Sequence, residues 1–246
     1  MKIAIIGFGK MGRAIEIAAN SAQHTVVAKI DPQAPEATAS EISAANLNGA
    51  EVAIDFTHPT VVIANLQKLA ALKIPTVVGT TGWYEKLPEV EQLAQKNSVG
   101  ILYAGNFSVG VQAFYKIVAQ AAQLLAGQGF DVAIRDTHHT AKADAPSGTA
   151  KELAAKILAN FPAKKSVMLD NEILPIPADR LQISSARVGR VVGIHEIIFD
   201  GSSETIQLIH SGKNRDNYAT GAVAAAEWLL AKKSAGVFTA TDWLGF

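Results

Sequence analysis

The sequence predicts an α/β protein: a doubly wound parallel sheet, followed by a second α+β unit with a mixed, largely antiparallel sheet. Three observations carry that prediction. Short apolar runs alternate with helix-like segments through the first hundred residues. A glycine-rich turn joins the first run to the first helix. After residue 181, three strand-like segments follow one another with only short turns between them. Strand–helix alternation implies crossover connections and hence parallel pairing, whereas closely spaced strands pair antiparallel.

Taken in order, Ile3–Ile6, Val26–Ile30, Val52–Phe56, Thr76–Val78 and Val99–Tyr103 are mostly apolar, as strands buried on both faces are. Met11–Asn20, Thr60–Leu72 and Glu89–Asn97 supply helices between them. Ile15, Ala18 and Ala19 have the i, i+3, i+4 spacing of a core-facing stripe, and Pro59 is placed in a first helical turn, where proline is accepted. Residues 108–126 read as a longer helix that ends near Gly127 and Gly129. Val132–Arg135 is then a strand, residues 136–147 a polar loop and residues 148–160 a helix. Residues 161–181, with Pro162, Pro175 and Pro177, read as irregular. Gln182–Arg187, Val191–Phe199 and Glu204–His210 read as strands, joined by the hairpin signals Gly189-Arg190 and Asp200-Gly201. An Ala-rich helix, Asn217–Lys232, is expected to pack back on the first unit. The expected domains are residues 1–107 with 217–246 for a dinucleotide, and residues 108–216 for substrate binding and oligomerisation.

Composition narrows the function classes. Of 246 residues, 49% are apolar and 18% charged, which provides a core and excludes disorder. Lys plus Arg equals Asp plus Glu at 22 each, so no net field draws the chain to nucleic acid or an anionic membrane. Any bound anion must be held by local geometry. The absence of cysteine excludes disulfides, thiolate metal sites and a cysteine nucleophile, and it suits a reducing compartment. The amino-terminal apolar run is too short for a signal-peptide core, and no stretch approaches the ~20 apolar residues of a membrane span. A soluble, cytoplasmic protein is expected.

Gly7-Phe8-Gly9-Lys10-Met11-Gly12 is a G-x-G-x-x-G turn that follows a strand and opens a helix. Such glycines permit a tight turn and let the backbone approach a pyrophosphate at the positive end of the helix. Asp31 ends the next strand 19 residues after Gly12, where a carboxylate accepts hydrogen bonds from an adenosine ribose. A carboxylate there repels the 2′-phosphate of NADPH, so NADH is expected to be used at least as well. Lys10 and Lys29 are near enough in sequence to compensate in part. Two more loops, Gly79-Thr80-Thr81-Gly82 and Ala104-Gly105-Asn106-Phe107, follow strands where open α/β sheets place ligands.

The segment Thr137-His138-His139-Thr140-Ala141-Lys142-Ala143-Asp144-Ala145-Pro146-Ser147-Gly148-Thr149 concentrates groups that can carry or donate protons in His138, His139, Lys142 and, as the weakest candidate, Asp144. Free amides at the following helix start, with the hydroxyls of Ser147 and Thr149, suit a carboxylate. The plainer reading of this turn is a helix cap with Thr149 and Glu152 as a capping box. Adjacent histidines rarely share an ion and no H-E-x-x-H spacing occurs, so no metal is expected. The combination suits a small anionic substrate that receives a hydride and a proton.

His138-His139-x-x-Lys142-x-Asp144-Ala145-Pro146-Ser147-Gly148-Thr149-Ala150 resembles the signature of the bacterial 4-hydroxy-tetrahydrodipicolinate reductase (dihydrodipicolinate reductase) family. The resemblance extends through Gly7–Arg13, Asp55-Phe56-Thr57-x-Pro59, Gly79–Gly82, Asn106–Gly110 and Arg187-x-Gly189-x-x-x-Gly193-x-His195. It implies a Rossmann-like domain closed by the carboxyl-terminal helix and a second domain whose sheet builds a homotetramer. It implies NAD(P)H-dependent reduction of a small dicarboxylate in the diaminopimelate/lysine pathway. The residues matching His138 and Lys142 would then be catalytic, and those matching His139, Gly148 and Thr149 would hold substrate. Those matching Gly7–Gly12, Asp31, Gly79–Thr81 and Ala104–Phe107 would hold NADH or NADPH. The chain departs from the family pattern in a glycine loop one residue shorter, and in Asp31, which is Asp rather than Glu and has no Arg beside it. Without the loop signature, the residues would equally suit another two-domain NAD(P)-dependent dehydrogenase or a non-catalytic NAD-sensing module.

Overall fold

Lys2–Ile6 (β1) leaves Ile3, Ala4, Ile5 and Ile6 almost wholly buried, because both faces of the strand are covered. It pairs in parallel with Thr25–Ile30 (β2) on one side and Val52–Asp55 (β3) on the other. Thr76–Val78 (β4), Gly100–Tyr103 (β5) and Gly236–Thr239 (β11) extend the sheet in the order β11-β5-β4-β3-β1-β2, all parallel. Lys10–Ser21 (α1) and Asp216–Lys232 (α6) cover one face, where Ile3, Ile5, Val52, Ile54, Val77 and Leu102 meet the apolar side of both helices. Val62–Ala71 (α2) and Leu87–Asn97 (α3) cover the opposite face around Val78 and Ile101. The expected Ala-rich helix is thus part of this unit. Its small residues allow close approach, and a Cβ built on Gly221 would lie 1.9 Å from the Phe107 carbonyl oxygen.

This computed structural model describes residues 1–170, 174–214 and 216–246, which divide into one unit of Met1–Val109 with Asp216–Phe246 and another of Gly110–Arg215. In the second unit, Val109–Leu125 (α4) and Gly148–Asn160 (α5) pack on a five-stranded sheet. The strands are Asp131–His138 (β6), Ser166–Leu169 (β7), Arg180–Arg187 (β8), Gly193–Asp200 (β9) and Thr205–Gly212 (β10), in the order β10-β9-β6-β8-β7. The sheet is mixed. β10–β9 and β9–β6 are antiparallel, while β6–β8 and β8–β7 are parallel, because α5 carries the chain back before β7 and β8 begin.

Several details differ from the sequence expectations. β6 runs on through Asp136, Thr137 and His138, since pairing with both neighbours extends the strand beyond its apolar stretch. The stretch expected to be irregular contains β7. Gly189-Arg190 does not form a hairpin, because β6 lies between β8 and β9. Instead, the Gly189 carbonyl accepts from the Thr140 amide at 3.2 Å and anchors the polar loop. Asp200-Gly201 does turn a hairpin, closed by the Gly201 amide on the Glu204 carbonyl. Pro59 lies in the turn before α2, whose Val61 and Val62 amides donate to the His58 carbonyl. β11 and the short helix Ala240–Leu244 (α7) were not anticipated.

Candidate active site

Three loops converge at the carboxyl ends of the parallel strands in the first unit. In the glycine turn, each glycine has its own reason. Gly7 has φ +86°, and a Cβ there would lie 2.4 Å from the Phe56 carbonyl oxygen. A Cβ on Gly12 would lie 2.3 Å from the Gly7 carbonyl oxygen, so only glycine lets α1 start this close to β1. Gly9, by contrast, has nothing within 4 Å of its Cβ position. Its lack of a side chain leaves backbone open at the helix start, the feature a pyrophosphate needs. The residues therefore fit a dinucleotide.

Asp31 is held by three backbone amides. Its Oδ2 accepts from the Phe8 amide at 2.8 Å, and its Oδ1 accepts from Gln33 and Ala34 amides at 2.8 and 2.9 Å. Burial raises its carboxyl, but those three amides and Arg13 outweigh it and hold it below the ordinary range. The nearby cations are already engaged: Arg13 pairs with Glu36 at 2.6 Å and Lys29 with Glu16 at 3.2 Å. Lys10 opens α1 and is exposed, and Met11 follows it half-buried.

Of the proposed cofactor residues, Phe8, Thr80, Ala104 and Phe107 have buried side chains, so they offer a ligand backbone and shape only. The Thr80 hydroxyl donates to Asp55 Oδ1 at 3.0 Å, and the Thr57 amide donates to Thr80 Oγ1 at 2.8 Å. Asp55 is wholly buried and also accepts from the Thr57 hydroxyl at 2.7 Å and Asn65 Nδ2 at 3.0 Å. Burial pushes its carboxyl up against these bonds. Asp55 thus ties the β3 and β4 loops together, a role the sequence reading did not assign. Gly79 sits under the Phe56 ring, where a Cβ would lie 2.1 Å from ring carbons, and Gly105 faces Thr81 and Tyr84. The Asn106 side chain accepts from the Ser108 amide at 2.8 Å and turns the chain toward α4.

In the second unit, His138 ends β6, two residues after Asp136 and so on the same face of the strand. Asp136 has no exposed surface. It accepts from the Ser147 hydroxyl at 2.8 Å and the Ser147 amide at 2.9 Å. His138 Nδ1 lies 3.0 Å from Asp136 Oδ1, His195 Nε2 3.5 Å from the same oxygen, and Arg187 Nη2 3.4 Å from Oδ2. Burial pushes Asp136 up, yet the Ser147 donors and the two imidazoles hold its carboxyl below the ordinary value. Burial pushes the imidazoles down. His138 falls against the pull of Asp136, and His195 falls to about 4.

Ser147 corrects one expectation. Its side chain is buried against Asp136 and accepts from the Ala150 amide at 3.1 Å, so it is the N-cap of α5 and not a ligand-facing hydroxyl. It takes the place of the Thr149–Glu152 capping box. The cap leaves Gly148 and Thr149 in the first turn, where helix geometry gives their amides no intrahelical acceptor. Gly148 is exposed, and its Cβ position meets nothing within 4 Å. Lys142 Nζ donates to Asp144 Oδ1 at 2.6 Å and holds the Asp144 carboxyl below its usual range. Arg187 Nη2 donates to the Asp144 carbonyl at 2.7 Å, which links the loop to β8. His139 is half-buried beside His138, and its carbonyl accepts from the Lys142 amide at 3.1 Å.

The structure thus gathers His138, His139, Lys142, Gly148 and Thr149 along one loop and helix start. Asp136 and the buried side of His195 were missed. Asp136, His138 and His195 are the one set among the described residues whose donor atoms cluster closely enough for a cation. Two Ser147 donors and Arg187 already engage the same carboxylate. Asp-x-His at strand spacing was the available signal, hidden by ending β6 at Arg135.

Two family models match the chain: "Dihydrodipicolinate reductase, N-terminus" over residues 1–107 and "Dihydrodipicolinate reductase, C-terminus" over residues 110–244. A 4-hydroxy-tetrahydrodipicolinate reductase of Christiangramia forsetii is 35% identical over 99% of this chain and 98% of its own. One from Staphylococcus aureus (strain Newman) is 36% identical over 97% and 98%. Among solved structures, a dipicolinate-bound dihydrodipicolinate reductase from Paenisporosarcina sp. TG-14 is similar with a TM-score of 0.78. It has 25% identity and 98% coverage of both chains.

Proposed function

The chain belongs to the dihydrodipicolinate reductase family, and from that premise we propose how its residues divide the work of the reaction. It is an oxidoreductase that reduces 4-hydroxy-tetrahydrodipicolinate to tetrahydrodipicolinate, with loss of water, in diaminopimelate/lysine biosynthesis, using a nicotinamide cofactor. The observation that carries the assignment of roles is the loop that places His138, Lys142 and the open start of α5 within one short stretch.

Gly7–Gly12, Asp31, Gly79–Thr81 and Ala104–Phe107 would hold the cofactor largely through backbone, since the side chains of Phe8, Thr80, Ala104 and Phe107 are buried. When bound, the nicotinamide supplies the hydride. Gly148 and Thr149 present first-turn amides to a substrate carboxylate, with the helix dipole behind them. His139 flanks that cradle. Lys142 Nζ, released from Asp144, offers a cation and a proton to the charge that develops on the ring. His138 exchanges a proton at its imidazole. Ser147 acts on substrate only through the cap it forms.

NADH is used at least as well as NADPH on this reading. The carboxylate of Asp31 stays ionised, and glutamates already pair Arg13 and Lys29. A KM for NADPH ten or more times below that for NADH would refute this preference. The chain works as a homo-oligomer, a tetramer by the family resemblance. The half-exposed to exposed row Ile194, Ile198 and Ile209 on the side of β9 and β10 away from the helices supports that reading. Sedimentation at one chain per particle would remove it. Among the described residues, no helix is long and apolar enough to cross a membrane. The cytoplasm is the compartment we expect for a cysteine-free biosynthetic enzyme.

The deciding assay follows NADH absorbance while the preceding synthase makes substrate in situ from pyruvate and aspartate semialdehyde. Consumption of NADH that depends on both precursors supports the assignment. None, with a folded protein, refutes it.

A further inference from the structure

Asp136 is a carboxylate without exposed surface, and the reaction as described uses it nowhere. Burying a charge is costly unless fixed partners replace water. Here the partners come from four places in the chain: His138 from its own strand β6, Ser147 from the start of α5, Arg187 from β8 and His195 from β9. Oδ1 gathers the Ser147 hydroxyl and both imidazoles. Oδ2 gathers the Ser147 amide and the guanidinium. A group needed only to cap α5 would not require this convergence.

We propose that Asp136 is a positioning residue, whose carboxylate fixes the His138 imidazole and the amino terminus of α5 relative to one another. The proposal rests on the reading of His138 as the proton-exchanging group. The contact from Nδ1 is 3.0 Å long but lies off the line of a directed hydrogen bond, so that nitrogen has no hydrogen-bond partner among the described residues. Bonds of this kind commonly align only when substrate is in place. On the other side of the ring, a Cβ at Gly193 would lie 3.0 Å from His138 Nε2, so glycine at that position keeps this nitrogen clear. A carboxylate at Nδ1 selects the Nδ1–H tautomer and leaves Nε2 as the exchanging atom.

The charged and titratable groups that face His138 are Asp136, Lys142, Asp144, Arg187 and His195, with His210 behind His195. Asp136 and Asp144 pull the imidazole up, and burial and the cations push it down. Replacing Asp136 by asparagine removes the nearest upward pull. It therefore shifts the His138 transition to lower pH.

The test compares pH profiles of kcat/KM at saturating NADH for the wild type, Asp136→Asn, Asp136→Glu and His138→Gln, with circular dichroism to verify folding. His138→Gln is expected to abolish one transition and lower kcat about 100-fold or more. Asp136→Asn is expected to move that same transition down by about one unit and to lower kcat, while Asp136→Glu leaves the midpoint in place. A uniform loss in Asp136→Asn with an unmoved transition overturns the proposal and leaves the His138 assignment standing. A His138→Gln enzyme with full rate and the same profile overturns the assignment itself. Should Asp136→Asn fail to fold, long-range 1H–15N spectra of the wild type decide. The Nδ1–H tautomer of His138 at neutral pH supports the proposal, and the Nε2–H tautomer overturns it.

Discussion

Lys142 and Asp144 are held together at 2.6 Å, and this pair sets what a single substitution does at the loop. Lys142→Ala deletes the proposed proton donor without opening a core. It should lower kcat by ~10²–10⁴ and leave NADH affinity within a few-fold, since none of the cofactor-loop bonds involves it. Steady-state kinetics with both substrates varied would check this, and unchanged turnover would remove Lys142 from the chemistry. Gly148 allows a different separation. Its Cβ position is open, so Gly148→Val should fold normally. The side chain would instead stand in the proposed carboxylate cradle. The loss of a hydrogen bond to a charged group, about 1.5–3 kcal/mol, raises KM for the dicarboxylate roughly tenfold or more. An unaltered KM would mean that the turn serves only as a cap. The residues proposed to carry protons stood out in the sequence because their types are unusual together. Asp136 was not, because an aspartate beside polar neighbours looks like a loop residue until strand pairing turns it inward.

Among the elements, α6 shows how small residues bring a distant segment onto the sheet. Ala219, Ala222, Ala225 and Ala226 are almost wholly buried, and Gly221 lies against the Phe107 backbone in the loop proposed to flank the cofactor. Gly221→Ala would push a methyl group into a carbonyl oxygen that cannot move alone. We expect a loss of about 1–3 kcal/mol, read by urea unfolding, together with a raised KM for NADH. Stability equal to wild type would show that α6 shifts freely. Sequence periodicity located this helix and most strands because each buries a continuous apolar stripe. It missed β7 and β11. Ser166–Leu169 lies in a proline-bearing stretch and takes up its strand by pairing with β8, as Gly236–Thr239 does by pairing with β5. It misjudged the Gly189-Arg190 turn for a related reason: which strands pair is decided by the crossover through α5, not by the turn between them.

For the whole molecule, the buried histidines predict acid sensitivity. Burial lowers His195 from 6.5 to about 4, so between those values the unfolded chain binds a proton that the folded one does not. Stability therefore rises with pH across that window. The full difference is of order 3 kcal/mol, with about 2 kcal/mol already lost at pH 5 relative to pH 7. His138 and His210, also pushed down by burial, act in the same direction. Asp136, held below the ordinary carboxylate range, adds a loss only below about pH 4. Urea unfolding across pH 4–7 should show this slope, and His195→Gln should flatten it. An equal slope in the variant would place the acid sensitivity elsewhere. By itself the sequence determined the parallel α/β unit, the glycine turn with its acidic partner and the loop proposed to carry the reacting groups, because each depends on contacts among near neighbours in the chain. Only tertiary structure decided that Ser147 turns inward, that Asp55 ties the β3 and β4 loops together, and that Asp136 meets His138, Arg187 and His195. Except for Asp136 and His138, which share β6, those contacts join residues from separate elements, and the fold as a whole, not a local pattern, sets who meets whom.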